Sequence, residues 1–306
     1  MEAGMSVRIA RRTFLAGCTA GFALPAPDLA ERIGIMCQLE PEEAGARKAL
    51  AAAREAGFRR AQITFPWDRA GGDFLRGLPG WIAAEDLRAE VLGAYVNCAA
   101  PGVVLMSARA EDFDRAIDYA ARIGARHLTA WTGGYGPGLM TSDARNFTPE
   151  ASDAIRRFLE PRLERLADRH LTLALETYIT LACPDAPSLR RLLDKLPPVV
   201  GAVLDPPNMT PVERYGERDG VMREMFRALE GRVGVVHMKD FRLAKDGRSY
   251  ELPGPLAGEM NYRLFLEQIR RLPDDTPLIA EHLNPGEFRE ARKKLVAACR
   301  GAFSGS

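Results

Sequence analysis

From residue 32 onward, short apolar runs alternate with longer stretches in which apolar positions recur every three or four residues. An apolar run of strand length followed by a stretch of helical period, repeated many times, is the pattern of β/α units feeding a parallel sheet. It predicts eight strands, over 33–37, 60–65, 90–97, 127–131, 172–178, 201–204, 233–237 and 277–281. Helices are expected over 42–56, 72–87, 109–123, 149–169, 187–196, 221–229, 262–271 and 287–299. In the last of these, Phe288, Ala291, Leu295 and Ala298 form one stripe and Arg289, Arg292, Lys293 and Lys294 fall mostly off it, so this helix should close the structure with its basic side outward. Eight such units without a visible linker or second domain predict an α/β fold, a single (β/α)8 TIM barrel spanning residues 28–306.

Residue types at the element ends agree with this count. Thr148-Pro149-Glu150 and Asp185-Ala186-Pro187-Ser188 offer a capping side chain followed by proline in the first turn, and Gly57, Gly124 and Gly231 stand where helices should end. Three connections, 132–147, 208–220 and 241–261, exceed the usual 2–6 residues of such loops. All follow strands and therefore lie on one face of the barrel, either as lids and substrate walls or as plain surface excursions. The tail 301–306 is expected to fray.

Residues 1–27 break the pattern. Arg11-Arg12 precedes the run TFLAGCTAGFAL and the Ala/Pro-rich 25–27, which resembles a twin-arginine export signal and implies a periplasmic protein. The alternative is an exposed terminal helix, since the run is too short to span a membrane. Leu15-Ala16-Gly17-Cys18 also reads as a lipoprotein cleavage box, but only five residues separate Arg12 from Cys18, fewer than the ~7–15 of an apolar signal core.

Charge and cysteines narrow the partners. A net charge of +1 provides no field for nucleic acid or an anionic membrane, so a small neutral or polar molecule is the expected partner. Cys37, Cys98, Cys183 and Cys299 are widely spaced with no CxxC pair, which argues against a zinc knot or redox motif. A Cys37–Cys98 disulfide is open in an oxidising compartment; buried small thiols are the simpler expectation.

The chemistry gathers at the strand ends. Strand five, LTLALE, ends in Glu176; strand six, GAVLD, in Asp205; strand seven, VGVVH, in His237; strand eight, TPLIAE, in Glu281. One such carboxylate has an ordinary structural use as a salt-bridge partner or helix cap. Four polar residues ending consecutive strands of a barrel converge, and the three carboxylates among them, facing one another, repel unless a cation neutralises them. One imidazole with three carboxylates suits a divalent ion such as Mn²⁺, Mg²⁺, Co²⁺ or Zn²⁺. Lys239, two residues beyond His237, should point to the same side as an electrostatic helper, or else pair with Asp240. Met238 should face the helices. Trp67 and Trp131 end strands two and four, where they would stack on a sugar or pack in the core; Asn97 ends strand three, to bind a hydroxyl or form a turn. His127 and His170 fall at the opposite end of their strands and are expected to be structural, and alternation turns His282 away from Glu281.

The segments Leu175-Glu176, Leu204-Asp205-Pro206-Pro207-Asn208, His237-Met238-Lys239-Asp240 and Ala280-Glu281-His282-Leu283, with the stretch from Gly258 through Asn261-Tyr262, resemble the sugar phosphate isomerase/epimerase family of xylose-isomerase-like TIM barrels. The resemblance implies that Glu176, Asp205, His237 and Glu281 bind one divalent metal and that Glu176 and Glu281 also act as the acid/base pair. The family commonly has a histidine where this chain has Tyr178 or Asn208, so a usual substrate contact is replaced. The implied reaction is isomerisation or epimerisation of a sugar or sugar derivative, with proton abstraction beside a metal-bound carbonyl and an enediolate intermediate. No glycine-rich phosphate cradle follows strands seven and eight, so an unphosphorylated sugar is expected. Two alternatives stand beside it: a lyase expelling a group from the same enediolate, and a barrel that only binds. A multi-metal endonuclease of related fold would need more than the four histidines present.

Overall fold

The computed structural model describes residues 28–301; the predicted export signal with Cys18, and the tail beyond 301, lie outside the described residues. Eight parallel strands close into a barrel: β1 (Ile33–Gln38), β2 (Arg60–Thr64), β3 (Arg88–Asn97), β4 (His127–Trp131), β5 (Thr172–Glu176), β6 (Val200–Leu204), β7 (Val233–Met238) and β10 (Leu278–Ala280), which returns to pair with β1. The remaining two strands, β8 (Arg242–Leu243) and β9 (Tyr250–Glu251), make an antiparallel hairpin inside the long loop after β7. Every predicted barrel strand is present, with ends displaced by at most two residues.

Two cores result from the alternation of side chains along each strand. Met36, Val91, Ala174, Val203, Val235 and Ile279 point inward and fill the barrel, while the alternate positions join a larger cluster beneath the helices. Met238 belongs to that outer cluster, as its parity predicted. The helix expected over 149–169 is divided into two helices, Pro149–Leu159 and Leu163–Asp168, with a 3-10 turn (Glu160–Arg162) between them. Pro161 explains the break, because its ring removes a donor from the helical ladder. Asp185 caps its helix by accepting from Ser188 N at 2.7 Å. Thr148 does not cap; its hydroxyl donates instead to Arg145 O at 3.1 Å. Gly57, Gly124 and Gly231 all adopt positive φ, as helix-terminating glycines should.

All four described cysteines are free and buried, so Cys37 and Cys98 form no disulfide, and burial pushes the Cys37 thiol up to about 12. No described helix is long and apolar enough to cross a membrane.

His127 starts β4, at the end of the barrel away from the charged cluster, with its Nδ1 buried and unpartnered. Burial, helped by the neighbouring Arg126, lowers its pKa from 6.5 to about 4. Between these values the unfolded chain holds a proton that the folded chain refuses, so stability rises with pH across this window and is lost as pH falls through it. The contribution is at most about 3 kcal/mol. Denaturant titrations at pH 4.5 and 7 should show it, and His127→Gln should flatten that difference.

Candidate active site at the C-terminal end of the barrel

Glu176 is the last residue of β5 and pairs in register with Trp131 of β4. Asp205 follows β6 and becomes the N-cap of a single turn, Pro206–Met209, accepting from Asn208 N at 3.3 Å. Two prolines can open that turn because its first N–H groups have no helical partner. Oδ1 is thereby used, and Oδ2 is left toward the barrel axis. His237 lies on β7, and the step of two residues brings Lys239 back to the same side. Glu281 follows β10, its N–H donating to Met238 O at 3.2 Å one step beyond the assigned strand.

These side chains meet in a buried cluster. His237 Nδ1 lies 3.5 Å from Glu176 Oε1, 3.7 Å from Asp205 Oδ2 and 3.5 Å from Glu281 Oε2. Ligand-type atoms of Glu176, Asp205 and His237 all fall within 4.8 Å of one another. Glu281 stands at the edge of that group: its Oε1 is 2.9 Å from Lys239 Nζ, which also lies 2.7 Å from Asp205 Oδ2. His237 is fully buried and Lys239 only 3% exposed. Burial alone would lower the Lys239 pKa, but Asp205, Glu281 and Glu176 outweigh it and hold the ammonium above its ordinary range. Burial would raise Asp205; Lys239 and His237 reverse this and push it down to about 2. For His237, burial opposes charge, while Glu281 and Glu176 favour it and win.

The other nitrogen of His237 is held from across the barrel. Gln62 on β2 is fully buried; its Nε2 donates to the Tyr95 hydroxyl at 2.8 Å and its Oε1 lies 3.0 Å from His237 Nε2. With the amide so turned, Nε2 carries a hydrogen, and in the neutral ring the Nδ1 lone pair faces the carboxylates. Tyr95 reaches this position from a left-handed backbone, φ +46°, where β3 shifts register against β4. Gly93 makes room, since a Cβ there would approach the Tyr95 ring to 2.8 Å and Thr64 Oγ1 to 2.6 Å.

A cavity of about 310 Å³ opens above the cluster, lined by Glu176, Asn208, Lys239 and Glu281 below and by Tyr95, Trp131 and Tyr178 at the side. Of the residues expected to contact substrate, Trp131, Tyr178, Asn208 and Lys239 therefore reach it. Asn208 donates one amide N–H to Glu176 Oε1 at 2.9 Å. Trp67 lines a neighbouring cavity of about 340 Å³, with its indole N–H given to Gly93 O at 2.9 Å. Asn97 serves the turn: its amide donates to Val103 O and Gly134 O and accepts from Ala100 N and Gly134 N. Its hydrogen-bonding capacity is thus committed to backbone, and a substrate hydroxyl has no claim on it.

Lys239 does not pair with Asp240. Asp240 instead accepts from Phe241 N at 2.8 Å and Met260 N at 2.9 Å, sewing both ends of the 241–261 loop to the strand end. His282 is also corrected: it lines the cavity, because the strand stops at Ala280 and His282 has φ +57°, so alternation no longer governs it. Gln62, Tyr95 and His282 were not among the expected site residues. The mid-strand Gly93 beside Tyr95 was the available signal, since glycine inside a strand marks a bulge or close approach.

The sequence model described as xylose isomerase-like TIM barrel matches residues 50–299. The chain belongs to this family. No curated protein matches it. Among solved structures, the xylose isomerase-like barrel is similar to a family protein from Mycobacterium smegmatis in complex with magnesium (TM-score 0.64, 18% identity, covering 85% of this chain and 90% of the other). It is similar also to the D-allulose 3-epimerase from Methylomonas sp. (TM-score 0.65, 17% identity, 87% and 97%). A probable 3-DHS dehydratase from Bacillus anthracis has the same fold (TM-score 0.58, 15% identity, 85% and 98%). At such identities these likenesses speak for the barrel itself.

Proposed function

We propose that this xylose isomerase-like barrel is a divalent-metal-dependent isomerase or epimerase of a sugar or sugar derivative. The observation that carries the reading is that Glu176 and Glu281 line one cavity and each lies 3.5 Å from His237 Nδ1. Two carboxylates facing one substrate space are what removal and return of a proton require.

A divalent ion fits the residues present. His237 Nδ1 and Glu176 Oε2 are buried without hydrogen-bond partners, which is costly unless something occupies the space between them. With the imidazole deprotonated, as a ligand must be, three carboxylates against one ammonium leave two negative charges, which a divalent ion would balance in place of the proton that the carboxylates otherwise draw onto His237. Glu176, Asp205, His237 and Glu281 would hold it, and the oxygen-rich set suits Mn²⁺ or Mg²⁺, with Co²⁺ or Zn²⁺ as alternatives. When bound, the ion would stabilise the negative charge that develops on a sugar carbonyl as the adjacent carbon loses its proton. One glutamate takes that proton and the other returns one to the enediolate. Lys239 fixes Oε1 of Glu281 and so leaves Oε2 free to face the cluster. Gln62 holds the imidazole in one tautomer.

The direct test is incubation of the Mn²⁺-loaded protein in deuterated water with free and 3-keto hexoses. Deuterium should enter one C–H position of an isomerised product, and a chelator should abolish it; no exchange on any of these sugars would reject the reading. A lyase is the second reading, favoured by Lys239, an ammonium in the cavity wall beside Glu281 that can stabilise the negative charge on a departing oxygen. An unsaturated product in the same incubation would select it. Gln62→Leu is expected to weaken metal binding about 10–100-fold by releasing the ring, measured by calorimetric titration with Mn²⁺; unchanged affinity would assign Gln62 to packing alone.

A further inference from the structure

Beyond its ionic floor, the active-site cavity is walled mostly by carbon. Tyr95, Trp131 and Tyr178 form a shelf with Leu139 packed on it, the rings of the first two 5.2 Å apart and inclined by 37°. At its mouth stand Met106, 54% exposed, and Met140, 65% exposed, the two most exposed large apolar side chains among the described residues. A single exposed methionine calls for no explanation. These two come from different loops, after β3 and after β4, and both line this one cavity, which gives them a direction.

A site for a bare sugar is built from groups that read hydroxyls, because an unmatched polar group in a buried site is penalised heavily. Here one N–H of Asn208 is given to Glu176, and Lys239 is held between two carboxylates. Trp131 Nε1 and Thr64 Oγ1 are buried in the wall without partners, and Gln38 and His282 also reach the cavity, enough to read the few oxygens of a small polar head. The cavity also shares Gln38, Thr64, Tyr95 and Met106 with the neighbouring 340 Å³ space, so a substrate can extend past the reacting head.

We infer that the substrate is amphipathic: a carbonyl- and hydroxyl-bearing head on Glu176 and Glu281, joined to a flat apolar substituent that lies on the Tyr95–Trp131–Tyr178 shelf beneath Met106 and Met140. An arene suits this wall because its face matches the rings and its edges meet adaptable, polarizable thioethers. The inference rests on the proposed sugar chemistry for the head, and an aryl glycoside with a keto group on its sugar ring is the simplest molecule with both parts.

The test compares equilibrium affinity for phenyl β-D-glucoside and methyl β-D-glucoside, unreactive hydroxyl analogues of the keto head, on the Mn²⁺-loaded protein, followed by tryptophan fluorescence. The phenyl compound should bind at least about tenfold more tightly, as expected for one buried ring. In the Met106→Ser/Met140→Ser double variant the ratio should drop to within about threefold. Equal affinities, no binding of either glycoside, or a ratio unchanged in the double variant would each overturn the inference. Phenyl preference without deuterium exchange on any sugar would keep the amphipathic ligand and reject the isomerase. Exchange on free hexoses with equal affinities would do the reverse.

Discussion

Glu176→Gln and Glu281→Gln are each expected to lower deuterium exchange about 10²–10⁴-fold, the usual worth of a positioned acid or base. Both amides fill the space of the carboxylates, so the folded barrel should survive and the loss should appear in kcat. Metal binding should then separate the two variants. Glu176 belongs to the compact group whose ligand atoms lie within 4.8 Å, and its Oε2 is buried and unpartnered, so Glu176→Gln should weaken Mn²⁺ binding as well as exchange. Glu281 stands at the edge of that group with Oε1 committed to Lys239, so Glu281→Gln should lose exchange while keeping more of the metal affinity. Calorimetric titration beside the exchange assay reads both quantities. Normal exchange in either variant would remove that glutamate from the acid/base pair.

The sequence makes the strand-end site residues legible because each is an abrupt change of type: an apolar run that the barrel buries stops at a charge. Glu176, Asp205 and His237 are found this way, and the closed barrel of parallel strands does bring them together. Gln62 is illegible by the same method. It sits inside β2, where a glutamine reads as one polar position among apolar ones, and its partner His237 is 175 residues away. Only closure of the barrel across its axis joins them. His282 was misplaced because alternation holds only while the backbone stays extended, and β10 ends at Ala280. The parity rule served Lys239 better, giving the correct side, but parity does not say that Asp240 would be taken by backbone N–H groups and leave Lys239 to Asp205 and Glu281. The long loop 241–261 is tied down by that same carboxylate, whose Oδ1 would meet a Cβ at Gly258 at 2.4 Å.

Lys239→Met should have opposite effects on the metal-free and metal-bound protein. Lys239 is 3% exposed and contacts two carboxylates that are 0% and 5% exposed. Removing one partner of a buried charge group leaves the others uncompensated, at a cost of about 3–5 kcal/mol, so the chelator-treated variant should unfold at distinctly lower denaturant. The same change takes a positive charge away from the proposed cation site. Divalent-ion affinity should therefore rise, by at least about tenfold given the size of unit-charge interactions at an effective dielectric near 20. Ligand binding stabilises the folded state by about 2.7 kcal/mol at a hundred times Kd, so Mn²⁺ should recover much of the stability lost by the variant. Urea titrations with and without Mn²⁺, beside calorimetry, measure both effects. Weaker ion binding in Lys239→Met would mean that the ammonium holds Asp205 and Glu281 in place for the ion and does not compete with it; unchanged metal-free stability would mean that His237 alone balances the carboxylates.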